Sequence, residues 1–279
     1  MDSSKKKQLQ ITACKIRKGI IEGLYNAKSG HPGGSLSIAE LITYLYFEKM
    51  NVSSEKAEDP DRDRFVLSKG HCAPTLYAAL ALKGYFSENE LKSLRHIGSM
   101  LQGHPCINTK GIDMSSGSLG QGVSTACGMA LAGKIDNKNY KVYTVLGDGE
   151  IEEGQVWEAA MFAAHYNLDN LVAIVDNNGL QIDGKITEVC SPEPITDKFE
   201  SFGWYVITMD GHDFEDIEKA FNEADTVKGK PVAIIQKSIK GKGVSFMENQ
   251  VSWHGVAPNK EEYENAMIEL DKQLKELEG

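Results

Sequence analysis

Two apolar runs rich in β-branched residues, Tyr140 to Leu146 and Leu171 to Val175, each break off into a short polar turn. The first turn is Gly147-Asp148-Gly149 and the second is Asp176-Asn177-Asn178, which sets Asp148 and Asn178 thirty residues apart. An acidic helix start fills the interval. The pattern reads as strand, tight turn, helix, strand, turn. In an open parallel sheet such turns gather at the carboxyl ends of the strands, where phosphate-bearing ligands bind. Gly149 lets backbone approach a ligand, and a helix N-terminus favours an anion. Yet Glu150, Glu152 and Glu153 follow at once and would repel a diphosphate. Magnesium resolves that conflict, because it takes oxygen ligands and bridges protein to phosphates. The expectation is a divalent metal held by the Asp148 carboxylate and the Asn178 amide oxygen, gripping a diphosphate.

The rest of the chain alternates in the same way. Helical spacing covers Gln8 to Asn26, Ser37 to Lys49, Thr75 to Lys83, Asp213 to Val227 and Glu261 to Glu278. Short strands fit Phe65–Leu67, Val206–Met209 and Val232–Gln236. Gly120 to Lys134 is rich in Gly, Ala and Ser, which lets a helix pack closely on a neighbour, and Ser116 to Gly120 offers unhindered backbone N–H groups. The alternation predicts an α/β fold: a doubly wound, mainly parallel sheet with helices on both faces. At 279 residues and 41% hydrophobic content, one large domain is the expectation. Two longer segments, Ser99 to Gly120 and Lys237 to Asn259, read as functional loops.

Composition excludes several roles. The formal net charge of −10 argues against a nucleic-acid or anionic-membrane partner. No apolar stretch approaches the ~20 residues of a membrane span, and no signal-peptide core follows Lys5-Lys6-Lys7. The five cysteines form no Cys-x-x-Cys pair, which fits reduced thiols in the cytoplasm and argues against a zinc site.

Of the seven histidines, His31, His71 and His104 follow glycine where turns are expected, and His254 precedes a glycine. Two of them share the triplet Gly-His-Pro. Loop histidines can donate to oxygens, bind a phosphate or shuttle protons near neutral pH.

These motifs, in this order, resemble transketolase. The resemblance rests on Ser29-Gly30-His31-Pro32-Gly33, on Asp63 through His71, on Gly103-His104-Pro105, on Gly117-Ser118-Leu119-Gly120-Gln121-Gly122, and on Gly147-Asp148-Gly149 through Asn178. It runs from about Gln8 to Pro258 and matches the amino-terminal, diphosphate-binding half of a full-length transketolase. The resemblance implies a single diphosphate-binding domain over residues 1–279, with the pyrimidine and carboxyl-terminal domains on a partner chain.

The resemblance also implies thiamine diphosphate as cofactor, with magnesium, or calcium or manganese in its place. Asp148, Asn178 and the Leu180 carbonyl match the metal ligands. His71, Gly117, Leu119, Gly149 and Ile182 match cofactor contacts, with Ile182 as an apolar wall against the thiazolium. His31 and His104 match contacts to the donor sugar, and His254 a proton-transferring histidine. Glu153, grouped with the cofactor residues, and Glu158 resemble acids that meet partner acids across an interface between chains; for Glu158 an acidic surface helix stays open.

Ser118 and Cys106 depart from the common pattern, and Cys106 bears on donor specificity. For Lys237 to Lys242 two readings stand, a reach to a sugar phosphate and a solvated loop. The implied activity is transfer of a two-carbon ketol unit from a ketose phosphate to an aldose phosphate, in a heterotetramer of two copies each of this chain and a carboxyl-terminal transketolase subunit. The alternatives are a subunit of a 2-oxo acid dehydrogenase, a deoxyxylulose-phosphate-synthase-like enzyme, or a non-catalytic cofactor-binding regulator.

Overall fold

Apolar residues fill both faces of the central strands, as a parallel sheet covered on each side requires. In the computed structural model, which describes residues 1–279, the strands are β1 (Arg64–Leu67), β2 (Val142–Gly147), β3 (Leu171–Asn177), β4 (Leu180–Gln181), β5 (Gly184–Lys185), β6 (Tyr205–Asp210) and β7 (Val232–Lys237). β4 and β5 form a small antiparallel ribbon. The other five make one parallel sheet in the order β1-β2-β3-β7-β6.

Side chains alternate between two cores. Tyr143, Val145, Ile174 and Ile234 face the helices Ser3–Ala27, Ala73–Leu82, Phe214–Thr226 and Lys260–Glu278. Val142, Leu146, Ala173, Val175 and Ile235 face Gln121–Ile135, Gly154–His165 and Ile195–Ser201. Val145, Ile174 and Ile234 are wholly shielded, and each such burial stabilises the fold by roughly 1.5–3 kcal/mol.

Register then builds the functional edge. Gly147 pairs with Asp176, and Asp176 with Gln236, so the carboxyl ends of β2, β3 and β7 stop in one row. Asp148, Asn178 and Ser238 follow directly. The chain runs from β1 through β3 in one direction, crosses to β6 at the far edge and returns to β7 beside β3. That reversal is the place where α/β sheets open a crevice for ligands.

Several helix boundaries differ from expectation. The first helix begins at Ser3 because Asp2 Oδ1 accepts the N–H of Lys5 at 2.8 Å. The helix expected over Ser37 to Lys49 is an α-helix only over Ala39–Tyr44, continues as a π turn at Leu45–Lys49, and is preceded by a separate short helix, Pro32–Leu36. Ser37 sits at the break, and its hydroxyl donates to Asp176 Oδ2 at 2.6 Å instead of turning to solvent. Burial on all sides left this stretch without a readable period. The glycine-rich helix does pack closely: a Cβ on Gly122 would lie 2.6 Å from Ser68 Cα. No helix is long and apolar enough to cross a membrane.

Candidate active site

The turns after β1, β2, β3 and β7 converge on a cleft of about 250 Å³. Its lining includes the expected His31, His71, His104, Gly117, Leu119, Asp148, Gly149, Asn178, Leu180, Ile182 and His254. Glu153 is not on the lining; it is exposed at the start of the Gly154–His165 helix, as is Glu158 further along.

Asp148 is buried at the end of β2. Its Oδ1 accepts the N–H of Gly149 at 2.9 Å and its Oδ2 that of Gly179 at 2.7 Å. Burial first, and the nearby Asp176 carboxylate second, push its carboxyl up to about 6. Two N–H donors leave carboxylate lone pairs free, and a bound cation would offset the cost of that buried charge. Asn178 is oriented by its own hydrogen bonds. Its Nδ2 donates to Asp176 Oδ2 at 3.0 Å, and its Oδ1 accepts the Leu180 N–H at 3.1 Å. The Leu180 carbonyl accepts from Lys240 Nζ at 3.0 Å, which occupies one of its two lone pairs. One carboxylate, one amide oxygen and one carbonyl thus border the same cleft. These are the hard oxygen donors that suit magnesium.

Behind them, Asp176 ties the turns together. It is fully buried and accepts from Lys69 Nζ, Ser37 Oγ, Ser238 Oγ, Asn178 Nδ2 and Gln236 Nε2. Burial alone would raise its carboxyl; the Lys69 ammonium, Ser238 and Ser37 outweigh that and hold it below the usual range. Lys69 is buried too, and its attraction to Asp176 outweighs desolvation, so its ammonium is held above the usual lysine range.

The three glutamates expected to repel a diphosphate separate in space. Only Glu150 lines the cleft, and its carboxylate is spent on Ser68 Oγ, the Gly120 N–H at 2.9 Å and the Gly147 N–H at 3.0 Å. Glu152 accepts from Gln181 Nε2 at 2.9 Å, and Glu153 faces solvent. The repulsion invoked for three acids therefore falls on one, and burial raises its pKa.

Three histidines make one wall. The rings of His31 and His71 are 5.1 Å apart between centroids, His31 and His254 5.5 Å, His71 and His254 5.7 Å. His104 stands exposed at the rim, its ring 3.3 Å from where a Gly117 Cβ would be. Desolvation, with Arg95, His104 and Lys240 nearby, lowers His31 to about 4. Desolvation and the Lys240 ammonium lower His254 to about 3. His71 is also held well below the ordinary value by burial and by Lys69. Lys240 itself is lowered to about 8, by burial and then by Lys69. Lys240 Nζ lies 2.8 Å from His254 Nδ1, so that nitrogen accepts and the ring proton sits on Nε2. His31 Nδ1 is buried with no partner inside the protein.

These shifts have a direct consequence. Between about pH 7 and about pH 5, below the range in which Lys240 loses its proton, the Hε1 resonances of His31 and His254 should show no imidazolium-sized displacement, because both rings remain neutral. A titration midpoint near the ordinary histidine value of roughly 6.5 for either ring would contradict the geometry.

Sequence reasoning left out Lys69, Asp176 and the structural use of Glu150, and split evenly on Lys240. Lys240 is buried on the cleft wall, whereas Lys237 is exposed and Lys242 pairs with Glu248 at 3.4 Å. The usable signal was position: each missed residue lies within three residues of an expected one or inside the glycine-rich loop.

The family profile described as "Transketolase, thiamine diphosphate binding domain" matches residues 9–274. An apulose-4-phosphate transketolase subunit of Phocaeicola vulgatus is 45% identical over 270 residues, covering 97% of this chain and 96% of that protein. The 6-deoxy-6-sulfo-D-fructose transketolase subunit SqwG of Clostridium sp. is 47% identical over 266 residues, covering 95% of this chain and 97% of that protein. Human transketolase is 44% identical over 274 residues, and there this chain spans only 44% of the relative's length. The crystal structure of transketolase from Campylobacter jejuni superposes with a TM-score of 0.90 at 30% identity, over 99% of this chain and 46% of that one.

Proposed function

This chain belongs to the transketolase family through its thiamine-diphosphate-binding domain, and on that premise we propose that it is the amino-terminal subunit of a split transketolase. It would transfer a two-carbon ketol unit from a ketose phosphate to an aldose phosphate. The observation that carries the reading is that Asp148, Asn178 and Leu180 border the same cleft as His31, His71, His104 and His254. Relatives of nearly equal length bear the name of a transketolase subunit, which supports a partner chain. We place the pyrimidine-binding and carboxyl-terminal domains on that partner, two copies of each chain in the assembly, residues 1–279 as one domain, and the protein in the cytoplasm.

In this reading Asp148, Asn178 and the Leu180 carbonyl hold the divalent metal. His71, Gly117, Leu119 and Gly149 hold thiamine diphosphate, and Ile182 walls its thiazolium. The fit rests on the raised Asp148 carboxyl, the bare glycine backbone at Gly117 and Gly149, and the unpartnered His31 Nδ1. When bound, the cofactor supplies the electron sink that carbon–carbon cleavage needs. The chain's own residues do the rest. His31 and His104, from two different loops, orient donor hydroxyls. His254 can give up its Nε2 proton, because Lys240 holds Nδ1 as the accepting nitrogen. Glu153 and Glu158, exposed on one helix, meet acids of the partner.

Two measurements test this. The reconstituted pair should turn over ketose phosphates and leave pyruvate untouched; turnover of pyruvate with none of ketose phosphates would replace the reading with that of a 2-oxo acid enzyme. His254→Ala should lower kcat by about 10²–10⁴-fold while cofactor half-saturation barely moves. Unchanged kcat would remove His254 from proton transfer.

A further inference from the structure

One buried carboxylate grips both ends of the segment that carries Lys240. Glu40 lies in the Ala39–Tyr44 helix, outside the cleft. Its Oε1 accepts Arg17 Nη2 at 2.5 Å, and its Oε2 faces His212 Nδ1 at 3.1 Å. Arg17 then donates Nε–H to the Lys242 carbonyl at 2.8 Å. On the other side His212 Nε2 accepts the backbone N–H of Ile239 at 2.8 Å. A ring nitrogen that accepts carries no hydrogen, so the proton of His212 sits on Nδ1 and goes to Glu40. Lys240 stands between the two held residues, with its ammonium on the Leu180 carbonyl and His254 Nδ1. The loop is shaped to admit the clamp: Gly243 has φ +93°, and a Cβ there would lie 2.6 Å from Arg17 Nε.

We propose that Arg17, Glu40 and His212 are positioning residues that, from outside the cleft, fix where Lys240 meets Leu180 and His254. The inference rests on the reading of the cleft as the thiamine diphosphate site. Nothing else in that reading uses the Asp210-Gly211-His212-Asp213 turn. Burial alone would raise the Glu40 carboxyl, but Arg17 and His212 bring it down to about 2, so it stays an acceptor for both arms across the neutral range. Partners of this kind, one layer behind the groups that touch a ligand, set their orientation and with it affinity.

A pair of substitutions separates the two nitrogens of His212. His212→Asn retains a donor to Glu40 near the Nδ1 position and loses the acceptor for Ile239. His212→Gln places an amide oxygen near the Nε2 position and retains that acceptor. Amide hydrogen exchange over residues 238–243 is read on the free chain, and thiamine diphosphate half-saturation on the complex with magnesium and the partner chain. His212→Asn should speed exchange at Ile239 and raise half-saturation, each about tenfold. His212→Gln should stay within about threefold of the unaltered chain in both. Arg17→Lys, which retains the charge against Glu40 but drops the second arm, is the independent variant, and its faster exchange should appear at Lys242 and Gly243. The proposal is overturned if His212→Asn matches the unaltered chain in both readouts, if His212→Gln is as impaired as His212→Asn, or if Arg17→Lys leaves exchange unchanged. A complex that never saturates with cofactor would defeat the functional reading instead, while the exchange data would still judge the clamp.

Discussion

Asp148→Ala should abolish magnesium-dependent binding of thiamine diphosphate, weakening it by on the order of 10²-fold or more. The size of the effect follows from where the carboxylate sits. It is buried, its pKa is pushed up to about 6 by burial and by Asp176, and it is the one acid bordering the cleft next to Asn178 and Leu180 whose oxygens are held by only two backbone N–H groups. Glu150 cannot replace it, since three hydrogen bonds engage its carboxylate. Calorimetric titration of the cofactor with and without magnesium measures the loss. A thermal melt of the cofactor-free variant shows whether the fold survives. Full magnesium-dependent binding by a folded Asp148→Ala chain would refute the metal assignment.

The second large effect is that of the partner. The isolated chain should show at least about 10³-fold lower ketol transfer than the reconstituted complex, because positioning and acid–base groups each contribute factors of this size. The cleft is one-sided here. Ile182, at its mouth, is 64% exposed, and His104 stands at the rim. On the Gly154–His165 helix Met161 and Phe162 face outward beside Glu158, with Tyr166 just beyond its end. An apolar wall for a cofactor gains nothing while it faces water. Ketol transfer by the purified chain alone, at the rate of the complex, would overturn the split-subunit account.

How much of this was legible beforehand depended on the kind of signal. β2 and β3 were readable because apolar, β-branched runs ended in Gly-Asp-Gly and Asp-Asn-Asn, and a parallel sheet places such turns together. His31, His71, His104 and His254, each beside a glycine, were readable as turn residues, and the fold brings the rings of His31, His71 and His254 within 6 Å of one another. Buried charge was not readable. Lys69 and Asp176 look in sequence like any polar residues at a strand end, and only the register that sets β1, β2, β3 and β7 side by side brings them into contact. Lys240 was ambiguous for the same reason: a lysine in a glycine-rich stretch has the composition of a solvated loop, and Arg17 and His212, which bond its neighbours Lys242 and Ile239, come from far away in the chain. The three glutamates after Gly149 went wrong in the opposite direction. Sequence adjacency suggested one acidic cluster, whereas the short turn at Glu150–Glu152 points one acid inward, one toward Gln181 and leaves Glu153 outside.

The central claim is a metal clamp built from Asp148, Asn178 and Leu180, and a crystal of the complex with thiamine diphosphate and manganese tests it most directly. The account predicts an anomalous peak within about 2.3 Å of an Asp148 carboxylate oxygen, Asn178 Oδ1 and the Leu180 carbonyl oxygen, bridging to the diphosphate. A diphosphate bound in the cleft with the ion elsewhere, or with no ion shared by those three oxygens, would contradict it.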